Sequence, residues 1–176
     1  MKLEELLEKY AVAVGTDNAF QRRARLLQAM WRESRGLPMG ARGSGAPLGS
    51  RLPLASAARD AANFFTANIR RSVRECVEAK AAGSGQLVDV DRLYANLLSS
   101  QPLCFNLFGE LQADLGLASR VFGGLWPARV EAVTAVRFEH SPGRSDRTYT
   151  GDRSAFDVFI EHTLPSGGSG FIGQHL

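Results

Sequence analysis

Apolar residues recur at helical spacing through most of the chain and alternate with polar ones only towards its end, a pattern that predicts helices first and strands afterwards. From Leu3 to Val14, the residues Leu3, Leu6, Leu7, Tyr10 and Val14 share one face and Glu4, Glu5, Glu8 and Lys9 the other, giving an amphipathic helix that stops at Gly15. Thr16 or Asp17 can cap a second helix to about Ser34. Its apolar stripe is Phe20, Leu27, Met30 and Trp31, and its charged face carries Arg22, Arg23 and Arg25. Gly36 and Pro38 end it, and the glycine, proline and serine of residues 36–53 read as a long loop. A third helix is expected from a Ser56 cap to about Ala82, with Ala62, Phe65, Ile69, Val73 and Val77 inward and Arg59, Arg70, Arg71 and Arg74 outward. Asp89 or Asp91 opens a short helix over Leu93, Leu97 and Leu98, which SSQP interrupts. CFNLFGELQADLGL then carries Phe105, Phe108, Leu111 and Leu115 at helical spacing, and Ala118 to Trp126 is helical up to Pro127.

The period changes at Arg129. RVEAVTAVRFEH, to His140, alternates Val130, Ala132 or Val133, Val136 and Phe138 with polar residues and is rich in β-branched side chains, so it reads as a strand. After the polar loop SPGRSDRTYTGDR, a second strand, AFDVFIEHT, sets Phe156, Val158 and Ile160 on one face and Asp157, Phe159 and Glu161 on the other. PSGGSG is long enough for a hairpin turn, and Phe171-Ile172 begins the returning strand. The order predicts a mixed α/β (α+β) fold, helical in its N-terminal half.

Composition narrows this reading a little. A chain of 176 residues that is 44% hydrophobic can bury an ordinary core. No run is long and apolar enough for a membrane helix, and the acidic start MKLEELLEKY is unlike a signal peptide, so a cytoplasmic location is expected. Cys76 and Cys104 are far apart and outside any C-x-x-C, which points to buried reduced thiols. A net charge of +3, carried mostly by arginine, permits a polyanionic partner without requiring one.

Several letter patterns carry no chemistry. Gly168-Ser169-Gly170-Phe171-Ile172-Gly173 spells G-x-G-x-x-G, but a dinucleotide site needs a helix and an acidic residue after it, and neither follows. The glycines around Gly43 and Gly45 lack the G-K-[ST] of a phosphate loop. His140, His162 and His175 stand in no H-E-x-x-H or Cys/His cluster, and no G-x-S-x-G is present. Asp157 is different, because an aspartate within an apolar strand loses hydration unless something compensates it. Two compensations fit equally well: a hard divalent cation held against a phosphate, or an ion pair with Arg144, Arg147 or Arg153.

Three blocks, SSQPLCFNLFGEL (99–111), RFEHSPGR (137–144) and YTGDRSAFDVFIE (149–161), followed by a glycine turn and GFIG, resemble a bacterial group of the PD-(D/E)XK nuclease superfamily, with its restriction-endonuclease-like fold. The stretch AVGTDNAFQRRARLLQAMWRESRGLP is also similar to that group. The resemblance implies helical residues 1–98, with the Gly/Pro-rich loop at about 36–54, and a partial nuclease core over 99–176 of helix and antiparallel strands. It implies an aspartate on the second core strand, an E-x-K on the third, and often a glutamate on the preceding helix, together binding Mg²⁺ or Mn²⁺ and activating water. Asp157 matches the aspartate and Glu110 the helix glutamate. GFIG continues as Gln174-His175-Leu176 where E-x-K is expected, so the third strand reads as truncated and the activity as impaired.

The implied partner is double-stranded DNA, with phosphate contacts from Arg22, Arg23, Arg70, Arg71, Arg74, Arg144 and Arg153. An incomplete sheet leaves an edge for self-association or for a second polypeptide. The function expected is a metal-dependent DNA endonuclease of restriction or defence type. The alternatives are a DNA-binding or interaction module without catalysis, and a remnant without function.

Overall fold

A computed structural model describes residues 2–83, 86–143, 148 and 155–176. In chain order its elements are α1 (Leu3–Lys9), α2 (Ala19–Ser34), β1 (Gly40–Ala41), β2 (Pro47–Leu48), α3 (Leu54–Asp60), α4 (Ala67–Ala81), α5 (Val90–Tyr94), α6 (Ser100–Ala113), α7 (Leu115–Leu125), β3 (Ala132–His140), β4 (Phe156–Thr163) and β5 (Ser169–Gln174). Helices with two antiparallel sheets, β1-β2 and β3-β4-β5, make the mixed fold expected and are consistent with a restriction-endonuclease-like core. The chain packs as two units, Met1–Asn63 with Asp89–Pro102, and Phe64–Val88 with Leu103–Leu176. Residues 64–88 therefore pack with the sheet, so the packing units cut across the division drawn from the sequence at residue 98.

In the first unit, α1 ends at Lys9 rather than Gly15, because Ala11 takes a left-handed φ of 51° and Val12 N–H turns back to the Leu7 carbonyl (2.8 Å). This brings Leu7 and Val12 against Leu26 and Ala29 of α2. Asn18, not Thr16 or Asp17, caps α2. Its side chain accepts from Gln21 N–H (2.9 Å) and the Gln21 side chain accepts from Asn18 N–H (3.0 Å), while Asp17 pairs with Arg25 (2.5 Å). The buried face is also not the expected one: α2 buries Leu26, Ala29 and Arg32, and Phe20, Leu27 and Met30 are exposed. Arg32 explains the rotation, since its guanidinium donates to the carbonyls of Gly49 (2.9 Å) and Leu37 (2.6 Å) and so pins the loop 36–53. Gly49 is obligatory there, as a methyl carbon in its place would lie 2.0 Å from the Tyr10 carbonyl oxygen.

The long third helix of the sequence reading is two helices. α3 ends where Ala61 turns left-handed (φ 47°), and α4 starts afresh from Thr66, whose hydroxyl accepts from Ile69 N–H (3.2 Å). SSQP opens α6 instead of interrupting a helix, with Pro102 in the first turn where no intrahelical N–H is needed. Asp114 ends the continuous helix expected to Leu117 by capping α7 through Leu117 N–H (2.8 Å).

The strands form where alternation placed them. β4 pairs with β3 through Phe138↔Val158 and with β5 through Ile160↔Ile172, a three-stranded antiparallel meander. One face of it, with Val133, Val136, Phe138, Val158, Ile160 and His162, is buried. Phe105 of α6 stacks on Phe138 (ring centroids 4.1 Å) and meets Phe64 edge-on, and Gln112 donates to the Val136 carbonyl (3.0 Å). α7 adds Ser119, whose hydroxyl accepts from Val133 N–H (2.8 Å). Both cysteines are free and buried. Burial, with the charge of Glu139 behind it, pushes the Cys76 thiol up to about 12.

Phe105 has no exposed surface and touches both the sheet and Phe64. Phe105→Ala is expected to lower stability by about 3–5 kcal/mol in urea denaturation; a loss below about 1 kcal/mol would mean that α6 is not seated on β3 as described.

Candidate active site

Asp157 lies on β4, the second strand of the meander, and is held from two sides. Its carbonyl accepts from the Cys104 thiol of α6 (3.1 Å), and its Oδ2 accepts from Leu176 N–H (2.7 Å), just beyond β5. Cys104 responds to these surroundings: burial first, then the charges of Asp157, Glu139 and Cys76, push its thiol far above the usual range. It is a neutral donor at physiological pH.

Glu110 stands elsewhere. Thr66 Oγ1 and Asn68 Nδ2 (2.9 Å) donate to its two carboxylate oxygens at the start of α4. Those hydrogen bonds, Asn68's first and then Thr66's, with the charge of Arg71, hold its carboxyl below the ordinary range. Cys104, which marks the Asp157 end of α6, precedes Glu110 by six residues. On a helix that is about 9 Å of rise and roughly 240° of turn, so the two carboxylates expected to act together face different neighbours.

A carboxylate that sequence reasoning missed lies on the neighbouring strand at the level of Asp157. Glu139 lies between the cross-strand pairs Phe138↔Val158 and His140↔Phe156, which sets it abreast of Asp157. It is 7% exposed, its backbone is left-handed (φ 50°), and its carbonyl accepts from Leu87 N–H (3.4 Å). Strict alternation sends it to the face opposite Phe138, yet both are buried, because the left-handed residue re-aims the strand. The signal was a glutamate inside the quoted block RFEH, but nothing about a glutamate announces a positive φ.

Beyond Glu139 the strand's other face takes over. His140, Phe156 and Phe171 pack around Phe159, at 5.0, 5.7 and 5.0 Å between ring centroids. Phe156 therefore sits with Phe159 and not with Val158 and Ile160 as alternation had it. Burial and the charge of Arg137 lower the pKa of His140.

Among the described residues, no group of three or more His, Cys, Asp or Glu is placed to hold a metal ion. Asp157 and Glu139 are carboxylates, the ligand type that hard divalent cations take along with water and phosphate oxygens. Of the arginines expected on DNA, Arg70, Arg71 and Arg74 are exposed on α4, with Arg71 near Glu75 (4.0 Å). Arg22 and Arg23 lie on α2, in the other unit, where Arg22 donates to the Asp17 carbonyl (3.3 Å). Arg144 and Arg153, and Arg147 with them, lie outside the described residues. No described helix is long and apolar enough to cross a membrane.

A sequence model of the PD-(D/E)XK nuclease superfamily matches residues 15–174, and no curated protein or solved structure matches significantly. With nearly the whole chain matched and an antiparallel meander carrying Asp157 on its middle strand, the chain belongs to the PD-(D/E)XK nuclease superfamily.

Proposed function

We propose that the chain is a divalent-metal-dependent phosphodiesterase acting on double-stranded DNA, in a restriction or defence role. The observation that carries this reading is Asp157 on the second strand of the meander, where the resemblance drawn from the sequence expects an aspartate. Nucleases of this superfamily generally use Mg²⁺ or Mn²⁺. Such an ion, when bound, supplies Lewis acidity at the scissile phosphate and lowers the pKa of a water. Asp157 and Glu139 would hold it here, and Glu110 would serve chiefly to fasten the start of α4.

The chain's own groups prepare that site. The Cys104 thiol fixes the backbone of Asp157, and Leu176 N–H fixes one carboxylate oxygen. Arg70, Arg71 and Arg74 supply an exposed positive face for backbone phosphates. Gln174, His175 and Leu176 do not reproduce the E-x-K of the pattern, so the reading rests on Asp157 and Glu139. A second reading, DNA binding without cleavage, is favoured by the α4 arginines alone. Its mark would be affinity that falls steeply with salt and ignores Mg²⁺.

Cleavage of duplex DNA in Mn²⁺ is expected to be abolished in Asp157→Ala and reduced at least about tenfold in Glu139→Gln, a loss of about 1.4 kcal/mol or more of transition-state stabilisation. Cleavage that survives Asp157→Ala would remove the proposed site. Absence of cleavage in every protein, with salt-dependent binding retained, would favour the second reading.

Glu110 gives a separate expectation. A carboxyl depressed in the folded state stabilises above its unfolded pKa of about 4.3, and that contribution is lost as pH falls through the folded pKa. Urea midpoints from pH 3 to 7 should therefore fall more on the acid side in the wild type than in Glu110→Gln, while Mn²⁺-dependent cleavage stays within about twofold. Parallel stability curves together with lost cleavage would return Glu110 to the metal.

A further inference from the structure

A cavity of about 560 Å³ lies in the first packing unit, on elements that carry none of the proposed active-site carboxylates. Met39, Pro47, Leu52, Pro53 and Leu54 give it apolar walls, and its charged side chains are those of Arg51 and Asp91. Small-molecule clefts have this volume and this make-up, apolar walls with a few polar groups that fix orientation. Main-chain hydrogen bonds preform it. Gly40 N–H donates to the Arg51 carbonyl (2.8 Å), Arg51 N–H to that of Leu48 (3.0 Å) and Leu52 N–H to that of Ala95 (2.9 Å), so β1, β2 and the end of α5 are tied to one segment.

The Arg51 guanidinium is only partly engaged. Its Nη2 donates to Asp91 Oδ1, and among the described residues no other donor of that side chain finds an acceptor. Nε is buried without one, a condition that costs stability. A carboxylate serving only as a tether takes Nε and Nη2 together. The two other Arg–Asp pairs among the described residues do so: Arg59 with Asp60 at 2.7 and 2.8 Å, and Arg25 with Asp17 at 2.5 and 3.3 Å. Asp91 instead holds Arg51 by one oxygen, and its own side chain is 49% exposed against 17% for Arg51. The pair thus keeps unused donors on one member and an unused acceptor on the other.

These charges restrict what can enter. An anion meets Asp91 and a cation meets Arg51, so the ligand is neutral where it touches them. It offers an acceptor to the guanidinium and, beside it, donors to the carboxylate. The prolines and the polarisable Met39 suit the faces of a flat ring. We propose that this pocket takes a guanine base. Its ring carbonyl accepts from Arg51, and the adjacent ring N–H and exocyclic amino group donate to the carboxylate of Asp91. Adenine brings a single donor group to that edge, and thymine sets a second carbonyl against the carboxylate, so both are rejected. A free nucleotide and an unpaired DNA strand present the same guanine edge.

Isothermal titration calorimetry of the full chain, in EDTA so that cleavage plays no part, is expected to show guanosine monophosphate binding at least about tenfold more tightly than adenosine monophosphate. Inosine monophosphate lacks only the exocyclic amino group and should also bind about tenfold more weakly. Asp91→Asn keeps an acceptor for Arg51 but turns a donor towards the donors of the base, so both preferences should vanish. Leu54→Trp leaves the pair intact and fills the cavity. It should weaken guanosine monophosphate at least about tenfold with an unchanged far-UV circular dichroism spectrum. A thymidine oligonucleotide with one central guanine separates the sources. Asp91-dependent binding of this single strand, without binding of the monophosphate, assigns the pocket to a base of DNA, and binding of the monophosphate assigns it to a free nucleotide. No binding of either probe at about 1 mM overturns the proposal. Equal affinity for adenosine monophosphate, or a guanine preference that survives Asp91→Asn or Leu54→Trp, overturns it as well.

Discussion

The stacking of Phe105 on Phe138 fixes where α6 lies on the sheet, and most of the second unit follows from that contact. Phe105 is followed seven residues later by Gln112, two turns along the same face, and Gln112 reaches the Val136 carbonyl. It is preceded by Cys104, which consequently meets the Asp157 carbonyl. One aromatic pair thus sets the helix in both position and rotation. A different rotation would bring Glu110 round to the sheet and take Cys104 away from it. With Phe105 seated, Glu110 turns to Thr66 and Asn68, and the helix contributes a neutral thiol to the neighbourhood of Asp157.

Burying Glu139 is costly, since lost hydration opposes its charge. The chain also holds Glu139 in a left-handed conformation that ordinary side chains avoid. Such a combination persists only where surrounding packing dictates it. Phe138 is locked under Phe105 on one side, and His140 is packed against Phe159 on the other. The strand has to change faces between these two anchors, and Glu139 is the residue where it does so.

The sequence was most legible where side-chain period and burial agree. β3, β4 and β5 lie where alternation put them, and Asp157 stood out because a carboxylate in an apolar strand breaks the pattern. Legibility failed where a polar group took a position that apolar residues usually hold. Arg32 turned α2 so that Phe20 and Leu27 face outward, because two backbone carbonyls inside the unit needed its guanidinium. The break between α3 and α4 carries no glycine or proline, so helical periodicity ran straight across it. Glu110 and Glu139 illustrate the same limit at the site. Their roles depend on helix rotation and on one backbone torsion, and neither quantity is written in residue spacing.

The sheet edge and the site are coupled through Leu176. Its N–H is the donor that orients Asp157 Oδ2, and it lies two residues past the end of β5, so whatever steadies β5 also steadies that donor. β5 is held by β4 on one side, and Gly173 admits the Phe156 ring so closely that a methyl carbon there would lie 2.5 Å from it. An edge strand paired on one side frays more readily than one paired on both. Fraying of β5 would therefore loosen Leu176, and through it the orientation of the Asp157 carboxylate.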